Sequence, residues 1–256
     1  MLRNIIRLEL KRLFGRKKLL VLGILGIGLL IIGTISYLEM WTPQRTSFEA
    51  FSFATGIILP MALPLLVGLS TGDLLAEDRR LGLVPLFLSK GVSPYQYIFG
   101  KTMGNIIGQT CFTGGLLIIF LLISSLLFPA GPILVYSADY YAGTLAANNP
   151  VAYCLGLLLI YVCAATAFSG IALLASVWIK NILVVMSIPT IIYFGLFYLL
   201  ITSFIEVNPY CYLALNEGSF STLPLTFSKA GLYWITISFT THALAIVTFS
   251  LKKDYS

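Results

Sequence analysis

Gly100-Lys101-Thr102 is the one stretch of this chain that matches the end of a nucleotide-binding P-loop, and no other lysine follows a glycine. A P-loop has the pattern G-x-x-x-x-G-K-[ST], in which a glycine turn lets successive backbone N–H groups wrap around a phosphate. The first glycine would have to stand at position 95, which is Tyr95, and no strand pattern precedes the stretch. The sequence therefore predicts that this chain holds no nucleotide and no other cofactor.

Other side chains that could do chemistry are scarce in the apolar segments. The only histidine, His242, lies near the middle of the last one. We expect it to be neutral and bonded to a backbone carbonyl, because a proton relay would need ionisable partners. No Ser/His/Asp set, H-E-x-x-H motif or carboxylate pair occurs within an apolar segment, and the four cysteines form no C-x-x-C pair. The sequence therefore argues against an enzyme, a metal site and an ion-coupled carrier.

The composition indicates a membrane protein. A soluble domain carries about 25% charged residues, whereas this 256-residue chain is 58% hydrophobic and only 10% charged. A spanning helix needs about 20 apolar residues, and six segments qualify, with approximate ranges 19–38, 53–72, 102–128, 152–178, 181–205 and 230–251. We therefore predict an all-α integral membrane protein with six transmembrane helices in a single transmembrane domain, residues 1–256.

The distribution of basic residues predicts the orientation in the plasma membrane. Six spans place both termini on one side, and Lys and Arg are enriched on the cytoplasmic side. With both termini in the cytoplasm, only Arg45 and Lys229 lie outside. The 14 basic residues inside are Arg3, Arg7, Lys11, Arg12, Arg16, Lys17, Lys18, Arg79, Arg80, Lys90, Lys101, Lys180, Lys252 and Lys253. The net charge of +6 thus indicates topology and contact with membrane lipid rather than with nucleic acid.

Residues 1–18 have the pattern of an amphipathic helix that precedes the first span. Its apolar and basic side chains occupy different faces: Ile6, Leu10, Leu13 and Phe14 on one, and Arg3, Arg7 and Lys11 on another. Such a helix is too short and too charged to cross the membrane, and we expect it to lie along the inner leaflet. The alternative is a topogenic charge cluster without a fixed helix, but the periodic apolar spacing favours the helix.

Span three carries three glycines one turn apart, Gly100, Gly104 and Gly108. Such a stripe lets another helix backbone come close. Asn105 and Gln109 lie beside it, and polar groups of this kind form hydrogen bonds between helices or line a pathway. We favour the helix contact, which is the commoner use.

Proline interrupts two of the predicted spans. Pro60 and Pro64 lie one turn apart in span two, and Pro189 lies in span five. Each removes a backbone donor and bends its helix. Such a bend either allows hinge motion or lets the helix pack against its neighbours, and packing is the commoner explanation.

The loop between spans two and three has a pattern of its own. Charged residues 77–80 precede the short apolar stretch LGLVPLFLS, a short helix in which we expect Leu83, Leu86 and Phe87 to lie on one side. Gly91 offers a stop, and Ser93, Pro94 and Gln96 form a capping box with proline at the first helical position. The loop therefore predicts a short helix, a sharp turn and a new helix leading into span three. Lys101 lies where this new helix enters the bilayer, and we expect it near lipid phosphates of the inner leaflet. The short helix either docks into a groove on a soluble partner or lies on lipid, and the pattern alone leaves both open.

This loop resembles the signature region of type-2 ATP-binding-cassette (ABC) exporter permeases. That family has an acidic residue after span two, an E-x-x-x-G-x-x-x-x-L stretch, a turn, a short helix and a G-K pair that opens span three. The residues that correspond in type and order are Glu77, Gly82, Leu83, Leu86, Leu88, Gly100 and Lys101. Chain length, six spans, the N-terminal helix and an Asn-Pro in the last outer loop agree with the same resemblance.

The resemblance implies a coupling helix within residues 77–91 that docks onto a separate ATPase subunit. It implies two ATPase copies, which bind ATP and Mg²⁺, and a second permease subunit in a homodimer or a heterodimer. The docking residues it suggests are Glu77, Asp78, Arg79, Arg80, Gly82, Leu83, Leu86, Phe87 and Lys90. Spans one, two and five form the pathway by the same analogy, and Pro60, Pro64 and Pro189 are its flex points.

Aromatic side chains in the spans suit a hydrophobic or amphipathic cargo, such as a peptide, a lipid-like molecule or a drug. Two other classes of function stay open at this point. One is a non-transporting immunity or anchoring protein of the membrane. The other is an ion-coupled secondary carrier, for which His242 would have to be essential.

Overall fold

The computed structural model describes residues 2–39, 45–133, 148–200, 208–213 and 227–252. Its helices are α1 (Leu2–Phe14), α2 (Lys17–Glu39), α3 (Ser47–Thr71), α4 (Asp73–Arg80), α5 (Leu83–Ser89), α6 (Pro94–Leu127), α7 (Pro150–Trp178), α8 (Ile182–Leu200) and α9 (Phe227–Leu251). No strand occurs in this described part of the chain, and the all-α prediction is confirmed.

Within the described residues, six candidate spans are long and apolar enough to cross a membrane: α2, α3 continued by α4, α6, α7, α8 and α9. They match the six predicted segments one to one, so the chain has the helices of a multi-pass membrane protein. The predicted end of span five, residues 201–205, lies outside the described residues, as do Met1 and Lys253.

The second span begins at Ser47, about six residues earlier than predicted, because its first turn is capped. The Thr46 hydroxyl oxygen accepts a hydrogen bond from the backbone N–H of Glu49. The carboxylate of Glu49 is buried, and it accepts a hydrogen bond from the Tyr37 hydroxyl at 2.9 Å. The helix therefore contains a carboxylate that has a hydrogen-bond partner. The sequence pattern had instead predicted that the span begins after this charged residue.

Helix α7 lies at the centre of the bundle and packs against α3, α6, α8 and α9. In its most apolar window 67% of the residues are buried within the protein, compared with 17% for α8. Aromatic side chains fill the core around α7: Phe51, Phe120, Phe168, Tyr193 and Trp234. The outer helices keep most of their apolar surface on the outside of the bundle, as expected where the hydrocarbon of a bilayer covers it.

The three prolines lie inside helices that pack tightly on each other. Pro60 and Pro64 are buried in α3, and Pro189 is buried in α8. At Gly72, just beyond the end of α3, a Cβ would lie 3.0 Å from the Cα of Met186 in α8. This close backbone contact agrees with a packing role for the bends, while a hinge role stays a prediction.

Helix α1 lies along the glycine stripe of α6. The three glycines contact the three buried side chains of α1 in order: Ile5 against Gly100, Glu9 against Gly104 and Leu13 against Gly108. A Cβ at Gly104 would lie 2.8 Å from the Cβ of Glu9. Because real Cβ atoms do not approach so closely, the glycines are what permits α1 to reach the backbone of α6.

The face that α1 buries differs in part from the predicted apolar face. Leu13 is buried against α6, Ile6 and Leu10 are half-buried beside it, and Phe14 is 51% exposed. Much of the apolar face therefore contacts protein, although the sequence analysis assigned it to lipid. The reason is the glycine stripe, which offers α1 a groove on α6.

Candidate functional site: the charged junction and helix α5

The segment between α4 and α6 follows the predicted order of helix, turn and helix. α4 continues α3 through Gly72, whose backbone is helical. α5 is bounded by Gly82 and Gly91, with φ of +65° and +81°, values that glycine adopts without steric cost. The side chain of Ser93 accepts a hydrogen bond from the Gln96 N–H, and the Gln96 side chain accepts one from the Ser93 N–H. This capping box starts α6 at Pro94, about eight residues earlier than the predicted span.

Charged side chains join α1 and the start of α2 to α4 and α6. The network, here called the charged junction, contains four acids and four bases: Glu9, Asp73, Glu77, Asp78, Arg12, Arg16, Lys18 and Lys101. Arg12 Nη1 lies 2.7 Å from an oxygen of Asp78, and Arg16 Nη1 lies 2.7 Å from an oxygen of Asp73. Both arginines also contact Glu77. Because acids and bases are equal in number, the junction is neutral as a whole.

Lys101 lies at the buried centre of the junction and is 2% exposed. Its Nζ lies 2.8 Å from Asp78 and 3.1 Å from Glu9, and it donates a hydrogen bond to the carbonyl of Leu74 at 3.1 Å. The Tyr97 hydroxyl donates to Asp78 as well. The sequence analysis expected Lys101 at lipid phosphates, and the structure corrects this. The ammonium group faces inward because its partners, Asp78 and the Leu74 carbonyl of α4 and Glu9 of α1, lie on the protein side of α6.

Arg12 is a permanently charged member of the junction. Burial alone lowers the pKa of its guanidinium, but the charge of Asp78, the hydrogen bond to Asp78 and the charges of Glu9 and Glu77 outweigh burial and raise that pKa. Arginine is already protonated throughout the ordinary pH range. The pH dependence of the junction therefore depends on its carboxylates and not on Arg12.

Arg79 points away from the junction and caps α7. Its Nη1 donates hydrogen bonds to the carbonyls of Ser176 at 2.9 Å and Val177 at 2.7 Å. Lys252, just past the end of α9, donates to the same Val177 carbonyl at 2.9 Å. The last carbonyls of a helix lack partners within it and carry partial negative charge, so two cations stabilise this end.

Helix α5 has a buried side and an exposed side. Val84 is fully buried, and the ring of Phe87 lies 5.5 Å from that of Tyr97, measured between centroids. Leu86 points outward and is 49% exposed. We call the following side chains the exposed face of α5: Pro85, Leu86 and Ser89. The helix is thus fixed to the bundle on one side and offers apolar groups on the other.

The nine predicted docking residues fall into three groups. Arg80, Gly82, Leu86 and Lys90 are exposed; Glu77, Leu83 and Phe87 are half-buried; Asp78 and Arg79 are buried. Asp78 and Arg79 bind groups of this chain and do not face outward. Leu86 and Phe87 also point in different directions, although the pattern placed them on one side. Docking of the segment onto a soluble protein stays a prediction.

Most of the junction has no signature in the local sequence, because the partners of α4 lie far away in the chain. Two signals were available. Glu9 is the only acid within residues 1–38, and Lys101 is the only charged residue within 91–138. A lone acid in a basic segment and a lone base in an apolar segment are expected to pair, because an unpaired buried charge is costly.

Asn105 and Gln109 are buried between helices. Asn105 Nδ2 donates a hydrogen bond to the Ser169 carbonyl of α7 at 3.4 Å, and Gln109 Nε2 donates to the Ser70 hydroxyl of α3. Both contacts are the helix-to-helix bonds that the sequence analysis favoured. A pathway role for either side chain stays a prediction.

No group of three or more His, Cys, Asp or Glu side chains that could hold a metal ion occurs within the residues that the structure describes. No family model matches the chain, and no curated protein is significantly similar to it. The function is therefore inferred from the charged junction, from α5 and from the sequence resemblance.

Proposed function

We propose that this chain is the membrane-spanning permease subunit of an ATP-driven ABC exporter of the type-2 class. Two copies of a separate ATPase subunit bind ATP and Mg²⁺, and a second permease, identical or different, completes the unit. The cargo is hydrophobic or amphipathic. The observation that carries the proposal is α5, a short apolar helix between the second and third spans whose outer side is exposed and whose inner side is fixed.

The exposed face of α5 has the chemistry of a docking element. An apolar helix face binds into a hydrophobic groove of a partner, and Leu86 is the large apolar side chain that α5 exposes between two glycine turns. Arg80 and Lys90 flank it and are exposed, so they supply charge at the rim of the contact. The ATPase subunit is the partner that the resemblance implies.

Movement of α5 has two routes into the spans. α4 continues directly from α3, so a push on α4 and α5 reaches the second span along its axis. Val84 of α5 packs with Ile98 of α6, Val177 of α7 and Phe249 of α9 in one apolar cluster. We propose that ATP-driven closure of the partner pushes α5 and tilts these helices together.

The positive-inside rule orients the chain in our proposal. Both termini, α1 and α5 face the cytoplasm from a plasma membrane. Arg3, Arg7 and Lys11 of α1 are exposed on the side away from α6, where lipid phosphates of the inner leaflet attract them. α1 is thereby an interfacial helix on one side and a protein contact on the other.

The test replaces Leu86 by Asp in the full-length chain and measures how much P-loop ATPase co-purifies, with identification by mass spectrometry. An unpaired carboxylate in an apolar groove costs more than about 1.4 kcal/mol, so we expect at least a tenfold loss of bound ATPase. Leu86→Met, which conserves volume, is the matched control and keeps the ATPase. Membrane insertion of both variants is measured in the same preparations.

Three other outcomes would contradict the docking proposal or favour one of the alternative functions. If Leu86→Asp retains both its ATPase and transport, α5 is not the docking element. If the wild-type chain binds no ATPase, the immunity or anchoring alternative gains support. If transport proceeds without an ATPase and His242→Leu abolishes it, the chain is an ion-coupled carrier.

A further inference from the structure

Helix α6 carries a second stripe beside its glycines, and this one is polar. Its members lie one turn apart at i, i+4 steps and each is at most 3% exposed: Tyr97, Lys101, Asn105, Gln109 and Thr113. At 1.5 Å of rise per residue, the stripe extends about 18 Å from Lys101 to Thr113. It therefore leads from the charged junction into the part of the bundle that hydrocarbon surrounds.

The two amides of the stripe have fixed orientations. The Ser169 carbonyl can only accept, so the nitrogen of Asn105 faces it. The Ser70 hydroxyl gives its proton to the Val67 carbonyl, so it accepts from the nitrogen of Gln109. Both amide oxygens consequently point elsewhere, and neither has a hydrogen-bond partner among the residues that the structure describes.

His242 adds a third buried acceptor next to this stripe. Its Nδ1 lies 2.8 Å from the Ser238 carbonyl, so Nδ1 carries the proton and Nε2 is an acceptor. That Nε2 has no partner within the described residues either. The ring packs against Gly170, where a Cβ would lie 2.7 Å from Nδ1. Asn105 binds the carbonyl of Ser169, which belongs to the same peptide group, so both side chains meet α7 at one point.

The orphan atoms share one chemical requirement. Asn105 Oδ1, Gln109 Oε1 and His242 Nε2 are all acceptors, and the Thr102 hydroxyl one turn below is buried without a partner in the described part of the chain. A buried acceptor without a donor costs about 1–3 kcal/mol. A ligand that supplies several hydrogen-bond donors to these atoms satisfies this requirement.

Water fits these acceptors better than a metal cation does. A buried water makes two to four hydrogen bonds to polar groups that protein leaves unsatisfied. A sodium or potassium ion would lie one turn from the ammonium group of Lys101, whose neutralising acids are already shared within the balanced junction. Like charges at such a distance repel strongly where the dielectric constant is low.

We infer that the polar stripe of α6 holds internal water molecules, bound by Asn105, Gln109 and His242 where α6 meets α3, α7 and α9. Water exchanges its hydrogen-bond partners at little cost. The stripe is therefore a hydrated contact between helices, here called the wet seam, along which α6 can shift against its neighbours without leaving polar groups unpaired. This inference stands whether or not the chain is an exporter subunit.

The test is radiolytic labelling of the purified full-length chain in lipid nanodiscs. X-rays split bound water into hydroxyl radicals that oxidise the side chains next to it, and mass spectrometry locates the oxidation. His242 and Trp234 lie two turns apart in α9, and they are 4% and 1% exposed. Trp234 packs in the apolar core and is intrinsically the more reactive side chain. We expect His242 to be oxidised several-fold faster than Trp234.

Variants of α6 identify the bound water as the source of the oxidation. Asn105→Leu with Gln109→Leu removes two of the acceptors, and oxidation of His242 falls to the rate of Trp234. Ile107→Leu, on the outer side of the same helix, leaves it unchanged. If His242 in the wild-type chain is oxidised no faster than Trp234, the seam is dry and the inference fails. If oxidation or melting temperature changes when choline replaces sodium and potassium, a cation occupies the site and the inference also fails.

Discussion

Lys101 shows how the role of one residue depends on its three-dimensional surroundings. A lysine at the end of an apolar segment has the sequence pattern of a lipid-phosphate contact, yet its ammonium group is enclosed by Asp78, Glu9 and a backbone carbonyl. Truncating one member of a buried ion pair leaves the other charge unpaired in low dielectric. Lys101 therefore stabilises the helices that meet at the junction and does not anchor the chain to lipid.

Replacing Lys101 by Met is expected to lower the free energy of unfolding by about 3–5 kcal/mol, because Asp78 and Glu9 lose their buried counter-ion. Lys18→Met is the matched control: this lysine binds Asp73 at 3.0 Å, but its side chain is 32% exposed. A pair of that kind contributes about 0–1 kcal/mol. The measurement is a denaturation curve for both variants in the same detergent. Equal losses would mean that the centre of the junction is hydrated like its edge.

At the scale of elements, the glycine stripe of α6 was visible in the sequence, while the helix that uses it was not. Spacing at i, i+4 and i+8 is a local property, so it predicts a close helix contact. The partner is α1, and its matching residues Ile5, Glu9 and Leu13 include an acid. Glu9 interrupts the apolar pattern of α1, and the ammonium group of Lys101 across the contact, together with Arg12, explains how its carboxylate can be buried.

Gly108→Leu is expected to displace α1 from α6, because Leu13 occupies the space that the new side chain needs. The readout is hydrogen–deuterium exchange of the amides in residues 2–14, which should become faster. Gly115→Leu, on the same helix with no atom within 4 Å of the added Cβ, is the control and should leave this exchange unchanged. Unchanged exchange in Gly108→Leu would show that the junction alone holds α1 in place.

For the whole molecule, hydropathy predicted the number and order of the spans, because apolar length is read along the chain. It could not predict that α7 lies at the centre, since α7 and the outer helices are similarly apolar. In the candidate site, too, local sequence patterns predict the turns but not the long-range ion pairs. The turns at Gly82, Gly91 and Ser93 follow from local residue types and are present. The pairing of Arg12 and Arg16 with α4 joins residues more than fifty positions apart, and no local pattern encodes it.

The orientation of the whole chain can be tested with two exposed residues from opposite ends of the bundle. Lys90 ends α5, and Arg45 precedes α3. In a chain whose four native cysteines are replaced by serine, we expect Arg45→Cys to react with a membrane-impermeant maleimide in intact cells. Lys90→Cys should react only after the membrane is permeabilised, because the positive-inside rule places this end in the cytoplasm.

The same experiment bears on the proposed function, because ATP is available only in the cytoplasm. If Lys90→Cys reacts in intact cells and Arg45→Cys does not, the charged junction and the exposed face of α5 are outside. A cytoplasmic ATPase could not then reach Leu86, and the exporter proposal would fail. The wet seam of α6 would survive that outcome, since it depends only on acceptors inside the bundle. The orientation experiment therefore distinguishes the two proposals. Docking of α5 onto an ATPase requires that α5 face the cytoplasm, whereas binding of water along α6 does not depend on the side of the membrane.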